Sequence, residues 1–266
     1  MLARRALPPE YRAWNEQWGA PYGKPMPYVG FLSNSKQRRL VDRFPSLRGP
    51  FAFQPNNATR VFEYPWAFYA VDLPTGAEVV EIGGGLSGFQ FVLAKSQARV
   101  TNIDPGEAAT GRGWFVNAES IARLNRAYGT DVTLVNTTIE EAKLPSESVD
   151  VVYSISTIEH VPPAEVPSLL QEVARILRPN GRCVLTVDLF LNLEPFSNRT
   201  ENKFGTNVSP ASLVAASGLE LVGGDRTELY GYPEFDASAV MGNLEELFVG
   251  DYPVLAQCFV LAKPGA

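Results

Sequence analysis

Residues 81–88 read EIGGGLSG, directly after the β-branched run EVV at 78–80. Gly83, Gly85 and Gly88 satisfy the GxGxxG spacing of a dinucleotide-binding loop. Glycines in such a loop permit positive φ and let backbone amides approach a ligand that a Cβ would hold off. Glu81 is not part of that spacing. The strand residue two before the first glycine ordinarily faces a packed sheet and is apolar. A carboxylate there needs a cation or hydrogen-bond donors, because an unpaired buried charge is costly. A ligand with an amino acid head would bring an ammonium group to it.

Outward from this loop the chain alternates between strand and helix patterns. EVVEIG (78–83) predicts a buried strand, and SGFQFVLAKSQ (87–97) predicts a helix. RVTNIDP (99–105) predicts a second strand, ending at Asp104, and WFVNAESIARLNRAYG (114–129) a helix stopped by Gly129. DVTLVN (131–136) and SVDVVYSIS (148–156) predict the third and fourth strands. AEVPSLLQEVARILRPNG (164–181) carries Val166, Leu169, Leu170, Val173, Ile176 and Leu177 on one helical face and closes with Arg178, Pro179 and Gly181. RCVLTVDLF (182–190) predicts a fifth strand. SPASLVAASG (209–218) predicts a helix with Ser209 as N-cap and Pro210 in its first turn. LELVGG (219–224) and VLAQCFVLAKP (254–264) predict two late strands, with little helix signal between them. The rhythm implies right-handed βαβ units in a mostly parallel sheet covered on both faces, with ligands beyond the carboxyl ends of the strands.

Residues 1–75 break this rhythm. They are rich in aromatics and prolines, and NATRVFEYPWAFYAVDL (57–73) predicts a short helix broken by Pro65. The expected organisation is therefore an N-terminal extension or lid (1–75) and one α/β domain (76–266). Net charge is −6, and the short basic clusters are Arg4–Arg5 and KQRR at 36–39, which disfavours a nucleic acid partner. No run approaches the roughly 18 apolar residues of a membrane span. Cys183 and Cys258 sit in apolar runs, and no apolar stretch follows the arginines of MLARRALPPEYRAWNEQWG. A cytoplasmic protein with reduced thiols is expected, monomeric or homodimeric.

Five segments in register resemble the class I S-adenosylmethionine-dependent methyltransferases. EIGGGLSG resembles their acidic–x–Gly–x–Gly motif, and VTNIDPG (100–106) their second-strand motif. LVNTTIEEAKLPSESVDVVYSISTIEHV (134–161) resembles the adenine-reading loop and fourth strand, and LQEVARILRPNGRCVLTVD (170–188) the helix, turn and fifth strand. The closing QCFVLAKP (257–264) resembles the antiparallel last strand. The resemblance covers residues 76–188 well, the C-terminal part loosely and residues 1–75 not at all. Ser87 replaces the third glycine of the first motif, PNG stands for Pro-Gly-Gly, and TTIEE stands where Asp-Ala is common.

The resemblance implies a Rossmann-like, seven-stranded, mostly parallel sheet with helices on both faces and an antiparallel last strand. It implies S-adenosyl-L-methionine as cofactor, S-adenosyl-L-homocysteine as product, and a small-molecule acceptor. Glu81 is expected to orient the loop or meet the cofactor's amino end, with Gly83 and Gly85 beside the methionine and ribose. Asp104 is expected to hold the ribose, Thr138 and Ile139 to read adenine, and Ser154 and Ile155 to line the methionine side. His160, the chain's one histidine, falls after the fourth strand, where a base could take the proton of an acceptor hydroxyl. Tyr64 and Arg60 are cofactor-side candidates, through cation–π contact and carboxylate pairing. Trp66 and Asp188 are acceptor-side candidates, although packing alone explains the aromatics as well. Oxygen is the expected methyl acceptor. SIST at 154–157 replaces the Pro-Pro-Tyr type of signature used for nucleic acid amines. A metal is not expected, because Ser156 occupies the first acidic position of a Glu–x–x–Glu–His arrangement and a second histidine is missing. The alternatives are an NAD(P)-dependent oxidoreductase, which leaves Glu81 unexplained, and a non-catalytic adenosyl-binding protein of the same fold, which would not need the acidic and glycine positions.

Overall fold

The computed structural model of the chain describes residues 1–26, 33–106 and 115–265. Two helices, α1 (Pro9–Trp18) and α2 (Asn34–Arg43), precede α3 (Arg60–Tyr69). The alternation then runs β1 (Glu78–Ile82), α4 (Gly88–Lys95), β2 (Arg99–Ile103), α5 (Ala118–Tyr128), β3 (Thr133–Val135), β4 (Val149–Ile155), α6 (Val166–Ile176) and β5 (Leu177–Phe190). A small hairpin, β6 (Glu201–Asn202) and β7 (Gly205–Thr206), leads to α7 (Pro210–Ser217), β8 (Glu220–Gly223), α8 (Ala237–Gly242) and β9 (Val254–Ala262).

Seven strands form one sheet in the order β3-β2-β1-β4-β5-β9-β8. The first five are mutually parallel, and β9 runs antiparallel to both of its neighbours. The Rossmann-like expectation holds, including the antiparallel last strand. β9 inserted between β5 and β8 also departs from the six-strand order usual for nicotinamide dinucleotide folds. The order reverses between β1 and β4, which puts the switch point beside the glycine loop.

The sheet is buried on both faces, which is why its strands read as apolar runs. On one face Trp14, Phe51, Phe62, Trp66, Phe89 and Leu124 pack with Val79, Val151 and Tyr153. On the other, Leu169, Leu170, Val173 and Leu213 pack with Val80, Val152 and Cys183. α5 starts where the Asn117 side chain accepts from Ser120 N (2.8 Å) and stops at left-handed Gly129. The expected start of that helix, at Trp114, lies outside the described residues. The N-terminal residues belong to the first of these layers, and Ala3 N donates to Ala256 O of β9 (2.9 Å).

Two expectations are corrected. Pro65 does not break its helix: α3 runs unbroken through it. A proline lacks the N–H that would bond the carbonyl four residues back. That carbonyl, Val61 O, instead accepts from Asn15 Nδ2 of α1 at 2.7 Å. Asn15→Ala is therefore expected to cost about 1–3 kcal/mol by orphaning this carbonyl. The cost should shrink in a Pro65→Ala background, where residue 65 regains a donor. Denaturant midpoints over the double-mutant cycle measure this, and equal costs in both backgrounds would refute the account.

The second correction concerns α6, which ends at Ile176 rather than at the Pro-Gly turn. Leu177 is already extended (φ −63°, ψ 136°) and pairs with Val149, and the register to β4 shifts before Arg182 pairs with Val151. Arg178 precedes a proline, which disfavours helical backbone there. Its guanidinium bonds Asp150 Oδ1 of β4 (2.5 Å), so PNG forms a bulge in a long strand.

Candidate functional site

A cleft of about 390 Å³ opens beyond β1, β4 and β5, lined by Glu81, Ile155 and Asp188 from those strands. Gly83, Gly84 and Ser87 of the loop, Arg60 and Tyr64 of α3, and Gln54–Asn57 before it form further walls. His160, Lys203, Phe204, Asp251 and Tyr252 close the side made by the segments after β4 and β5 and before β9.

The glycine loop shows why its residue types are needed. Gly83 has φ +69°, and a Cβ there would lie 2.2 Å from Thr157 Cγ2 in the segment after β4. A Cβ on Gly88 would lie 2.6 Å from the Phe51 ring, which seats the N-terminal segment on the start of α4. Ser87 has two roles that a glycine could not fill. Its Oγ accepts from Phe89 N (3.1 Å), capping α4, and donates to Glu81 Oε1 (3.2 Å).

Glu81 is 2% exposed, and its Oε2 has no hydrogen-bond partner among the described residues. Burial pushes its carboxyl up to about 8; the Ser87 hydroxyl opposes this and Asp104 adds to it. An unpartnered buried oxygen facing a cleft fits the ammonium of a cofactor with an amino acid head. The same burial has a cost in the ligand-free protein. The folded state holds this proton well above the ordinary value of 4.5, whereas the unfolded chain releases it. Stability from this group is thus full at low pH and is lost as pH rises from about 4.5 towards about 8. Glu81→Gln should raise the melting temperature of the ligand-free protein by several degrees at pH 8 and little at pH 5. It should also weaken S-adenosylmethionine binding about tenfold or more. Scanning fluorimetry and calorimetry read the two effects, and a variant no more stable at pH 8 would contradict the burial argument.

Asp104 lies at the end of β2, where its two oxygens accept from Gly85 N (2.7 Å) and Gly106 N (2.6 Å). It shapes the loop directly, and each oxygen retains a second lone pair. Its carbonyl accepts from Asn136 Nδ2 (2.6 Å).

Beneath the β4–β5 end of the cleft lies a polar network of which only Arg60 and Asp188 were candidates from the sequence. Arg60 Nη1 donates to Glu63 Oε1 and to Ser156 Oγ (2.8 Å). Thr186 Oγ1 donates to Glu63 Oε2, and Ser156 Oγ lies 2.9 Å from the same oxygen and 3.1 Å from Asp188 Oδ1. Tyr252 OH donates to Asp188 Oδ2 (3.3 Å), and Asp188 N donates to Glu159 Oε1 (3.1 Å). Burial opposes the charge of Glu63, but Arg60 and the hydroxyls outweigh it and hold the carboxyl below its usual range. Asp188 is raised to about 6 by burial, with Arg60 opposing. Burial, reinforced by Asp188, lifts Glu159 well above the ordinary range.

His160 stands in a single 3-10 turn, Ile158–His160. Its Nδ1 lies 2.7 Å from Phe204 O. A carbonyl only accepts, so Nδ1 is the donor in this bond.

Of the sequence candidates, the cleft gathers Glu81, Gly83, Arg60, Tyr64, Ile155, His160 and Asp188. Tyr64 stacks on Phe89 (5.7 Å between centroids) and donates to Asn56 Oδ1 (2.9 Å), with burial pushing its hydroxyl up to about 12. Six candidates do not line it; two of them, Gly85 and Asp104, stay beside it, joined in the glycine loop by the 2.7 Å bond from Gly85 N. Ser154 alternates with Ile155 on β4 and so faces the opposite layer, with Val152. Ile139 packs in that same layer, Thr138 is exposed and accepts from Ala142 N, and Trp66 is buried in the first layer. Glu63, Ser156, Glu159, Thr186 and Tyr252 escaped the sequence reading, because each is unremarkable until the strands converge. Among the described residues no group of three His, Cys, Asp or Glu side chains is placed to hold a metal ion, and no helix is long and apolar enough to cross a membrane.

The fold and the loop define a class I Rossmann-like methyltransferase architecture. Residues 80–185 match the family model of the methyltransferase domain. These residues form a methyltransferase domain of the class I S-adenosylmethionine-dependent kind, with S-adenosylmethionine as cofactor. It is 28% identical over 198 residues to a ubiquinone biosynthesis O-methyltransferase of Rhizobium leguminosarum bv. trifolii, covering 68% of this chain and 72% of the relative. A Hahella chejuensis protein of the same name is 35% identical over 108 residues, and the match spans 40% of this chain and 41% of that relative. The fold is similar to that of Burkholderia thailandensis 1,6-didemethyltoxoflavin-N1-methyltransferase, solved with its namesake compound and S-adenosylhomocysteine (TM-score 0.52, 17% identity, 92% of this chain and 94% of that one).

Proposed function

We propose that this enzyme methylates a hydroxyl oxygen of a small-molecule acceptor. The observation that carries the reading is the place of His160: it lines the cleft just after β4, held with Nδ1 2.7 Å from Phe204 O, where a base could meet an acceptor hydroxyl. The two curated relatives, both named O-methyltransferases, support it.

The bound cofactor supplies an electrophilic methyl group on a sulfonium. Glu81 would hold its ammonium end, the amides around Gly83 and Gly85 would admit its close approach, and Asp104 would take ribose hydroxyls on its remaining lone pairs. Ile155 and Tyr64 would flank the methionine portion, and Arg60, which lines the same cleft, would face its carboxylate. His160 Nε2 receives the acceptor's hydroxyl proton as the oxygen becomes nucleophilic. The cleft walls supply alignment, worth several orders of magnitude in such a displacement. Residues 1–75 act as a lid: Gln54 Oε1 accepts from Leu86 N (2.7 Å), and Ala58 N donates to Asp251 Oδ2 (2.9 Å), which joins this segment to both sides of the cleft.

Methyl-labelled S-adenosylmethionine offered with a panel of phenols, alcohols and amines tests the reading. An O-methyl product identified by mass spectrometry is expected. Exclusive N- or C-methylation, or cofactor binding without transfer to any member, would overturn it.

A further inference from the structure

The acceptor end of the cleft buries more acid than base. Three buried carboxyls, Glu63, Glu159 and Asp188, converge there with one guanidinium, Arg60, whose side chain is 13% exposed, while the ammonium of exposed Lys203 lies on the far wall over the Phe204 ring. Arg60 pairs with Glu63, the better partner, because Thr186 also donates to that carboxylate. Ser156 has one hydroxyl proton to offer to Glu63 or Asp188. Asp188 therefore receives neutral hydroxyl donors only, from Ser156 and Tyr252, while a carboxylate has about four accepting positions. It is 2% exposed yet lines the cleft, so accepting capacity is left at the cleft wall. Glu159 adds an independent sign of under-satisfaction: its Oε2 is buried and unpartnered beside Asp188 N.

We propose that Asp188 is the specificity-determining residue for the acceptor, taking a hydrogen bond from a second donor group on it, so that the enzyme selects hydroxyl- or amine-bearing neutral or cationic acceptors over anionic ones. A site built to accept a hydrogen bond rejects an analogue lacking the donor, because the buried acceptor is then left unpaired. A carboxylate at the same place adds like-charge repulsion in a poorly solvated cleft. The inference rests on the proposed O-methyl transfer for its meaning, but it is tested by binding.

The probes are four meta-substituted phenols of one scaffold: 3-aminophenol, resorcinol, 3-methylphenol and 3-hydroxybenzoate. They are titrated into the complex with S-adenosylhomocysteine. The amino and hydroxyl probes should bind at least about tenfold more tightly than the methyl probe, and 3-hydroxybenzoate most weakly. Asp188→Asn should compress this range to within about threefold and improve 3-hydroxybenzoate, since an amide can donate. Tyr252→Phe, which spares Asp188, should retain the preference and guards against misfolding of the first variant. Equal binding of all four probes by the unaltered protein would overturn the proposal, as would an Asp188→Asn variant that loses S-adenosylhomocysteine but keeps the order of probes. Transfer of label to the same probes reports separately on the proposed reaction, so either reading can fail alone.

Discussion

Arg60→Met is expected to destabilise the protein by about 3–5 kcal/mol at neutral pH, the range for removing one partner of a buried ion pair. The carboxylate left behind, Glu63, is 0% exposed and sits between α3 and the ends of β4 and β5. In the native protein Arg60 and the Thr186 and Ser156 hydroxyls keep Glu63 ionised against its burial. A carboxyl with a lowered folded-state pKa contributes stability above its unfolded value and loses it as pH falls through the folded one. That contribution is therefore present at neutral pH, and Arg60→Met should abolish it. Without the guanidinium, Glu63 is protonated by burial, and the variant's deficit should narrow on acidification. Adding Glu63→Met should restore much of the loss, because an apolar pair can fill the space that a broken ion pair cannot. Urea unfolding at pH 7 and pH 5 across the cycle measures all three effects. A single-variant cost below 1 kcal/mol would show that the pair is dispensable.

His160→Gln should lower kcat by about 10²–10⁴, the usual contribution of a positioned base. Glutamine is the informative replacement, because its amide can still donate to Phe204 O and keep the β6–β7 hairpin in place. Loss of turnover then reports the missing base and not a displaced wall. The affinity for S-adenosylmethionine should hold within about threefold, since its proposed contacts lie at Glu81, Asp104 and the loop. The rate of the variant should recover as bulk pH approaches the acceptor's own pKa, where the hydroxyl ionises without help. Turnover within a factor of three of the parent would remove the base role and leave alignment as the whole catalytic contribution of that wall.

Much of the architecture was legible because parallel strands buried on both faces must read as β-branched runs, and their crossover helices must carry apolar stripes. Glu81 before a glycine loop was legible for a related reason: a carboxylate at a buried strand end requires a ligand or a donor. What misled was local. Pro65 reads as a helix breaker until Asn15, remote in sequence, supplies a donor to Val61 O. PNG reads as a helix-ending turn until the register of β5 against β4 absorbs it as a bulge. Ser154 and Ile155 are neighbours in sequence, but alternation on β4 sends them to opposite layers.

The strand–helix alternation, the glycine loop with its acidic neighbour and the position of the one histidine could be read from the chain, because each depends on residues close together in it. The convergence of α3, β4 and β5 in space is what joins Glu63, Ser156, Glu159, Thr186, Asp188 and Tyr252 into one network, in which Arg60 bonds Glu63 and Ser156. Ser156, at φ +42° after β4, brings its hydroxyl between two carboxylates delivered by α3 and β5. Charges interact through distance in space and through burial, and neither is set by spacing along the chain.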